Sequence, residues 1–205
     1  MVCFNMFEDK KIIAFSGKKE GGKTTAVDKL TERWGGPLKV LHMSFAGELK
    51  RIVRKCFVPS DWNLNFDSDE DKSKVLPCGR TLREMLQLVG TDWFRTVYPD
   101  VWVNTLIYEL QQLTTNKIII SDVRFPNELQ AIQKMGGHVI RLTRNPHNDQ
   151  HESETALDLI EEATINELNS DVLNGMFDAI IDNSKMNVEE QNDAVWRLLE
   201  ERAWL

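Results

Sequence analysis

An apolar run, KIIAFS (11–16), leads straight into GKKEGGKT (17–24), and no other junction in the chain constrains it as tightly. A GxxxxGK[ST] pattern between a strand and a helix builds a phosphate-binding loop. Gly17 and Gly22 allow backbone conformations that a Cβ would obstruct, so successive N–H groups can curl round an anion. Lys23 then reaches the β- and γ-phosphates, and the Thr24 hydroxyl is placed for Mg²⁺. Gly21 and Thr25 complete the expected ATP-binding set. The stretch TTAVDKLTERW (24–34) reads as a helix whose N-terminal dipole faces the phosphates. The expectation is a nucleoside triphosphate site. The loop motif alone leaves kinase, ATPase and GTPase open.

A chain of 205 residues is expected to form one domain, 1–205, with a substrate-side insertion at about 58–100 and a short lid at about 144–172. Apolar runs at 11–16, 39–45, 117–123, 138–143 and 178–182 read as buried strands. Helical patterns fall at about 24–34, 46–57, 80–90, 101–113, 126–136 and 187–203. This alternation predicts an α/β fold: a three-layer sandwich on a five-stranded, mostly parallel sheet, with ligand at the carboxyl ends of the strands. Residues 58–79, bracketed by Pro59 and Pro77, break the rhythm as a long polar loop of functional or disordered character.

Charge narrows the partners. Asn145 to Ser184 holds ten Asp or Glu and no Lys or Arg, while the remainder carries 25 basic against 22 acidic residues. Neither part has the dense basic stripe of a nucleic-acid binder, so direct nucleic-acid contact is not expected and a small anionic ligand is. No apolar run approaches 18 residues, the N-terminus does not read as a signal peptide, and the three cysteines form no CxxC pair. A reducing cytoplasm with no membrane attachment is the expectation.

Beyond the loop, the stretches GRTLREMLQLVGTDWFRTVYPDVWVNTL, IIISDVRFPNELQAIQKMGGHVIRLTR, HESET and DAIIDNS resemble the deoxynucleoside monophosphate kinases of tailed bacteriophages, within the P-loop nucleoside monophosphate kinase group. The resemblance implies transfer of the γ-phosphoryl of ATP to a deoxynucleoside monophosphate (dNMP) with Mg²⁺, and it admits a homodimer. Phosphoryl transfer needs two phosphates in line and cations over the equatorial oxygens. A kinase therefore needs a second anion site, and surplus cations are present to build one.

Arg124, two residues after Asp122 at the end of KIIISDV, offers a fork suited to a phosphate. The resemblance assigns Asp122, Arg124 and Glu128 to the dNMP and its surroundings. Asp122 also resembles the acid that holds Mg²⁺, although Ser121 interrupts the run before it. Arg83, with Arg80 one turn earlier as an alternative, is the expected acceptor-phosphate residue. Gly90, Thr91, Trp93 and Trp102 are assigned to the substrate pocket, the tryptophans either stacking on a base or packing in the core. Gly90 also reads as a helix C-cap. Lys19 and Lys50 resemble further substrate contacts. Arg144 is expected to close over ATP and act in catalysis with Lys23 and Arg124. Asp182, Asn183 and Ser184 fall near the adenine or in a plain turn. His147 and His151, four apart, read as loop residues rather than metal ligands. Two alternatives stay open: a P-loop kinase for a nucleoside or coenzyme precursor, and a nucleotide-dependent switch, for which DNSK lacks the order of an N-K-x-D motif.

Overall fold

A computed structural model describes residues 7–146, 156–157 and 176–205. The expected lid and the histidines at 147 and 151 fall wholly or mostly outside these residues. The chain divides into two compact units, Met1–Ser44 with Glu109–Leu205, and Phe45–Tyr108. The insertion expected at about 58–100 lies inside the second unit.

The first unit is built on five strands: β1 (Lys11–Ser16), β2 (Val40–Met43), β3 (Lys117–Val123), β4 (His138–Leu142) and β5 (Ala179–Ile181). They pair in the order β2-β3-β1-β4-β5, every pair parallel. Central strands buried on both faces need apolar residues at consecutive positions, which Ile12–Phe15 and Ile118–Ile120 supply. Helices α1 (Lys23–Trp34) and α8 (Val188–Glu201) cover one face through Val27, Leu30, Val195 and Leu199, packed with Ile13, Phe15 and Ile140. Helix α7 (Pro126–Lys134) covers the other, where Ile132 lies beside Ile12. These three layers match the expected sandwich.

Helix α7 stops for a local reason. Gly136, at φ +77°, donates its N–H to Gln133 O, and Gly137 N donates to Ile132 O at 3.0 Å. That pair of bonds satisfies the last carbonyls and turns the chain into β4.

The second unit contains α2 (Ala46–Phe57), α3 (Asp69–Lys72), α4 (Leu82–Gln87), a π-helical turn (Leu88–Trp93) and α5 (Phe94–Val97); α6 (Val101–Gln111) starts within it. The segment 58–79 departs from the expected structureless loop. Val58, Leu64, Phe66 and Leu76 bury themselves against Val53, Leu82, Met85 and Val89, and Ser68 caps the short helix α3. Aliphatic and aromatic residues spaced through a polar sequence anchor it without any helical or strand period.

Gly90 corrects the expected helix end. It sits inside the π-helical turn, and the chain continues helically to Val97. The buried Trp102 Nε1 donates to Gly90 O at 2.8 Å, and a Cβ on Gly90 would lie 2.6 Å from Leu49 Cδ2. A side chain bonding into the carbonyl ladder is a recognised cause of such a local irregularity. Trp102 is 3 % exposed and belongs to the core, not to a base-stacking surface.

A Cβ added at Gly137 would lie 2.8 Å from Ile132 Cγ2 and 2.9 Å from Ile12 Cβ, between helix and sheet. Gly137→Ala should therefore destabilise the protein by about 1–3 kcal/mol through overpacking, read as a lower midpoint in urea unfolding.

Candidate active site

Strands β1, β3 and β4 run in the same direction, and Ser16 at the end of β1 stands opposite Val123 on one side and Arg141 on the other. Whatever follows these strands collects at one edge. After β1 comes the glycine-rich loop. Gly17, where a Cβ would lie 2.9 Å from Leu142 O, and Gly22, at φ +94°, take conformations suited to residues without a side chain. Gly21 N donates to Lys18 O at 3.0 Å, and the loop then enters α1.

Lys23 Nζ donates to Gly17 O at 2.7 Å and Lys18 O at 2.6 Å, which folds its side chain back over the loop. Burial lowers its pKa to about 7, helped by Arg124 and Arg141 and opposed by Asp122. Those three neighbours identify the groups that converge on the phosphate loop.

Arg124 follows β3 directly, and its position is set through the backbone. The buried Glu128 carboxylate accepts from Arg124 N at 2.8 Å and Phe125 N at 3.1 Å. Glu128 therefore shapes the turn that presents Arg124. Asp122 sits one step earlier in the same strand end, and Ser121, which interrupts the apolar run, is 2.7 Å from His42 Nε2 through its hydroxyl.

Arg141 is a site residue that the sequence expectations omit. It is 8 % exposed, donates from Nη1 to Ser16 Oγ at 3.0 Å, and lies over the Phe177 ring at 5.5 Å. Its signal was a lone guanidinium inside the apolar run HVIRLT, at a position an aliphatic residue would ordinarily fill.

A second omission, Gln191, lies behind the loop with Asn183. The fully buried Asn183 donates from Nδ2 to Gly21 O at 2.8 Å and Gln191 Oε1 at 2.6 Å, and accepts Arg144 N at 2.7 Å. Gln191, on α8, donates from Nε2 to Gly22 O at 2.9 Å. A Cβ on Gly22 would lie 2.1 Å from Gln191 Oε1, so the brace and the glycine require each other. Asn183 accordingly supports the loop from the turn after β5. Asp182 closes the neighbouring turn, accepting from Thr143 Oγ1 at 2.8 Å and Ser184 N at 3.1 Å.

Three other expected site residues make contacts within the chain. Thr25 turns its hydroxyl back to Gly22 O at 2.7 Å, which ties it to the loop. Arg144 donates from Nη2 to Asn183 O at 2.8 Å and to Met186 O, which anchors the guanidinium to the turn after β5. Lys19 lies on the loop, 4.0 Å from Glu20 Oε1. In the second unit, Lys50 pairs with Asp67, Arg83 pairs with Asp69, Thr91 is partly buried, and Trp93 is 49 % exposed.

Among the described residues no cluster of three His, Cys, Asp or Glu could hold a metal ion by itself. Thr24, exposed on the first turn of α1, and Asp122 are a hydroxyl and a carboxylate. That hard-oxygen set fits Mg²⁺ of the kind completed by water and phosphate oxygens.

Removing the brace should weaken the loop's grip. Gln191→Ala leaves Gly22 O without its amide donor, and ATP affinity should fall by about 1–3 kcal/mol, measured by titration calorimetry. A second expectation concerns pH. The folded pKa of Lys23, about 7, lies below the ordinary lysine value of 10.5. The unfolded chain therefore binds more protons between those values, and nucleotide-free stability should rise as pH climbs through that window. Lys23→Met should flatten that rise in urea titrations.

Known proteins resemble this chain in sequence and in fold. A family model described as deoxynucleotide monophosphate kinase matches residues 77–180. A protein of Acanthamoeba polyphaga mimivirus, provisionally named a deoxynucleotide monophosphate kinase, is 32 % identical over 186 residues, covering 83 % of this chain and 94 % of the relative. A solved shikimate kinase from Acinetobacter baumannii, in complex with shikimate, superposes with a TM-score of 0.52 at 14 % identity over 98 % of both chains, a likeness of fold. The matched span and the relative's near-complete coverage place the chain in the deoxynucleotide monophosphate kinase family.

Proposed function

We propose that the protein transfers the γ-phosphoryl group of ATP to the 5′-phosphate of a deoxynucleoside monophosphate, giving a deoxynucleoside diphosphate and ADP. The observation that carries this reading is the meeting of Lys23, Arg124 and Arg141 at one edge of a parallel sheet. Water attack on a nucleotide needs one phosphate held; transfer between two nucleotides needs charge for both, and for the equatorial oxygens passing between them.

Lys23 is the residue for the β- and γ-phosphates. Arg124, aimed by Glu128, and Arg141, held by Ser16, supply charge to the transferring group. Mg²⁺, held by Thr24 and Asp122 with the nucleotide's own oxygens, would neutralise charge on the phosphates. Binding an anion beside Lys23 offsets the repulsion from the two arginines and favours the charged ammonium. In the second unit Arg83 and Lys50 are the acceptor-phosphate residues, and the half-exposed Trp93 offers a ring face to the base. The buried Trp102 has no such role.

The test is ADP release with Mg-ATP and each common deoxynucleotide and ribonucleotide monophosphate in turn. Release should require an acceptor, and the accepted bases give the specificity. Arg124→Ala should lower kcat about 10²–10³-fold while unfolding at the wild-type temperature. Release that ignores every acceptor would make water the partner and end the kinase reading.

A further inference from the structure

Strand β3 is irregular at the point where it reaches the site. Ile120 stands opposite Ala14 of β1 and Val123 opposite Ser16, so one residue, Phe15, is set against two, Ser121 and Asp122. That is a β-bulge, and one extra residue reverses the face taken by the side chains beyond it. Phe15 packs in the apolar cluster with Val27 and Leu30 of α1, the helix that opens at Lys23. The bulge therefore decides whether the Asp122 carboxylate stands on the side of the sheet that carries the phosphate loop. It does, because Asp122 is close enough to Lys23 to favour its charged form.

The backbone ladder holds this bulge weakly. The extra residue of a bulge is left out of the ladder, and the regular pairing of β2 with β3 ends at Met43 opposite Ile120. A side chain takes over where the ladder stops. His42, exposed on the edge strand β2, stands opposite Ile119, yet its ring reaches along β3 to Ser121, with Nε2 2.7 Å from Oγ. The serine hydroxyl can donate or accept, so the bond forms with either imidazole tautomer. An aliphatic residue at 121 would extend the run Ile118–Ile120 and leave the bulge without this tie.

We propose that His42 is a positioning residue of the active site: through Ser121 it fixes the bulge that aims Asp122 toward the phosphates of ATP. The inference rests on the function proposed above, in which Asp122 and Thr24 hold Mg²⁺. Removing a group that orients a metal's ligand commonly costs about 10–100-fold in metal affinity or activity. A polar break in an apolar strand and an exposed histidine on the neighbouring strand thereby acquire one shared purpose.

Calorimetric titration of ATP, once with Mg²⁺ and once with the metal chelated, tests this on the whole protein. His42→Phe and Ser121→Ala should each weaken binding in Mg²⁺ by about tenfold and leave the metal-free affinity unchanged. The double variant should lose no more than either single one, because both substitutions cut the same bond. His42→Gln, whose amide can stand where Nε2 does, should recover most of the loss. In turnover, kcat should fall while the KM for the acceptor nucleotide holds. An equal loss with and without Mg²⁺, losses that add in the double variant, or affinities that no substitution moves would overturn the proposal. A loss confined to Mg²⁺ in a protein whose ADP release ignores every acceptor would uphold it and overturn the kinase reading instead.

Discussion

Like charges do not gather in a protein interior unless something holds them there. In this chain the sheet does so. Because β1, β3 and β4 are parallel neighbours in fixed register, the residues at their carboxyl ends cannot avoid one another. Lys23 enters from the loop after β1, Arg124 from the turn after β3 and Arg141 from within β4. Each is tied down separately: Lys23 to two loop carbonyls, Arg124 through the carboxylate of Glu128, Arg141 through Ser16. The fold thus maintains a region of positive potential that water relieves poorly and a polyphosphate relieves well. Burial of Lys23, with its lowered pKa, is the electrostatic measure of that unrelieved state.

The polar constellations of both units rest on apolar groundwork. In the first, Val195 and Leu199 seat α8 on α1 and the sheet, which carries Gln191 to the back of the phosphate loop. In the second, Leu64, Phe66 and Leu76 pin the segment 58–79, which fixes the backbone that bears Asp67 and Asp69. An amide or carboxylate positioned this way owes its accuracy to side chains with no chemistry of their own.

Much of this was legible in the linear sequence. Central strands buried on both faces must be continuously apolar, and those strands stood out, as did the shorter edge strands β2 and β5, at nearly their true bounds. The phosphate loop stood out because its conformation demands glycine at fixed intervals. Other features depend on contacts that no short window contains. Gln191 lies 169 residues from Gly22 and looked like one more polar residue on an amphipathic helix. Trp102 is apolar enough for the core and flat enough for a base, and only its burial and its bond to Gly90 O decide. Arg144 was read as an ATP contact by resemblance, and Asn183 as lying near the adenine or in a plain turn; their hydrogen bonds run to the turn after β5 and to the loop's own backbone. Arg141 was visible as an anomaly, and its meaning came from Ser16 across the strand.

The brace on the phosphate loop has a consequence for synthesis. The loop leaves the ribosome well before Asn183 and Gln191, which hold its carbonyls and are 162 and 169 residues behind their partners. The strand that leads into it lacks its neighbours β3 and β4 for most of that interval. Long-range pairing of this kind comes late, after the intervening chain has been ordered. The nascent polypeptide therefore carries a complete nucleotide-binding signature long before it has a nucleotide-binding loop. A message that stops short of Asn183 yields a product with every phosphate-loop residue in place and neither bracing amide behind them.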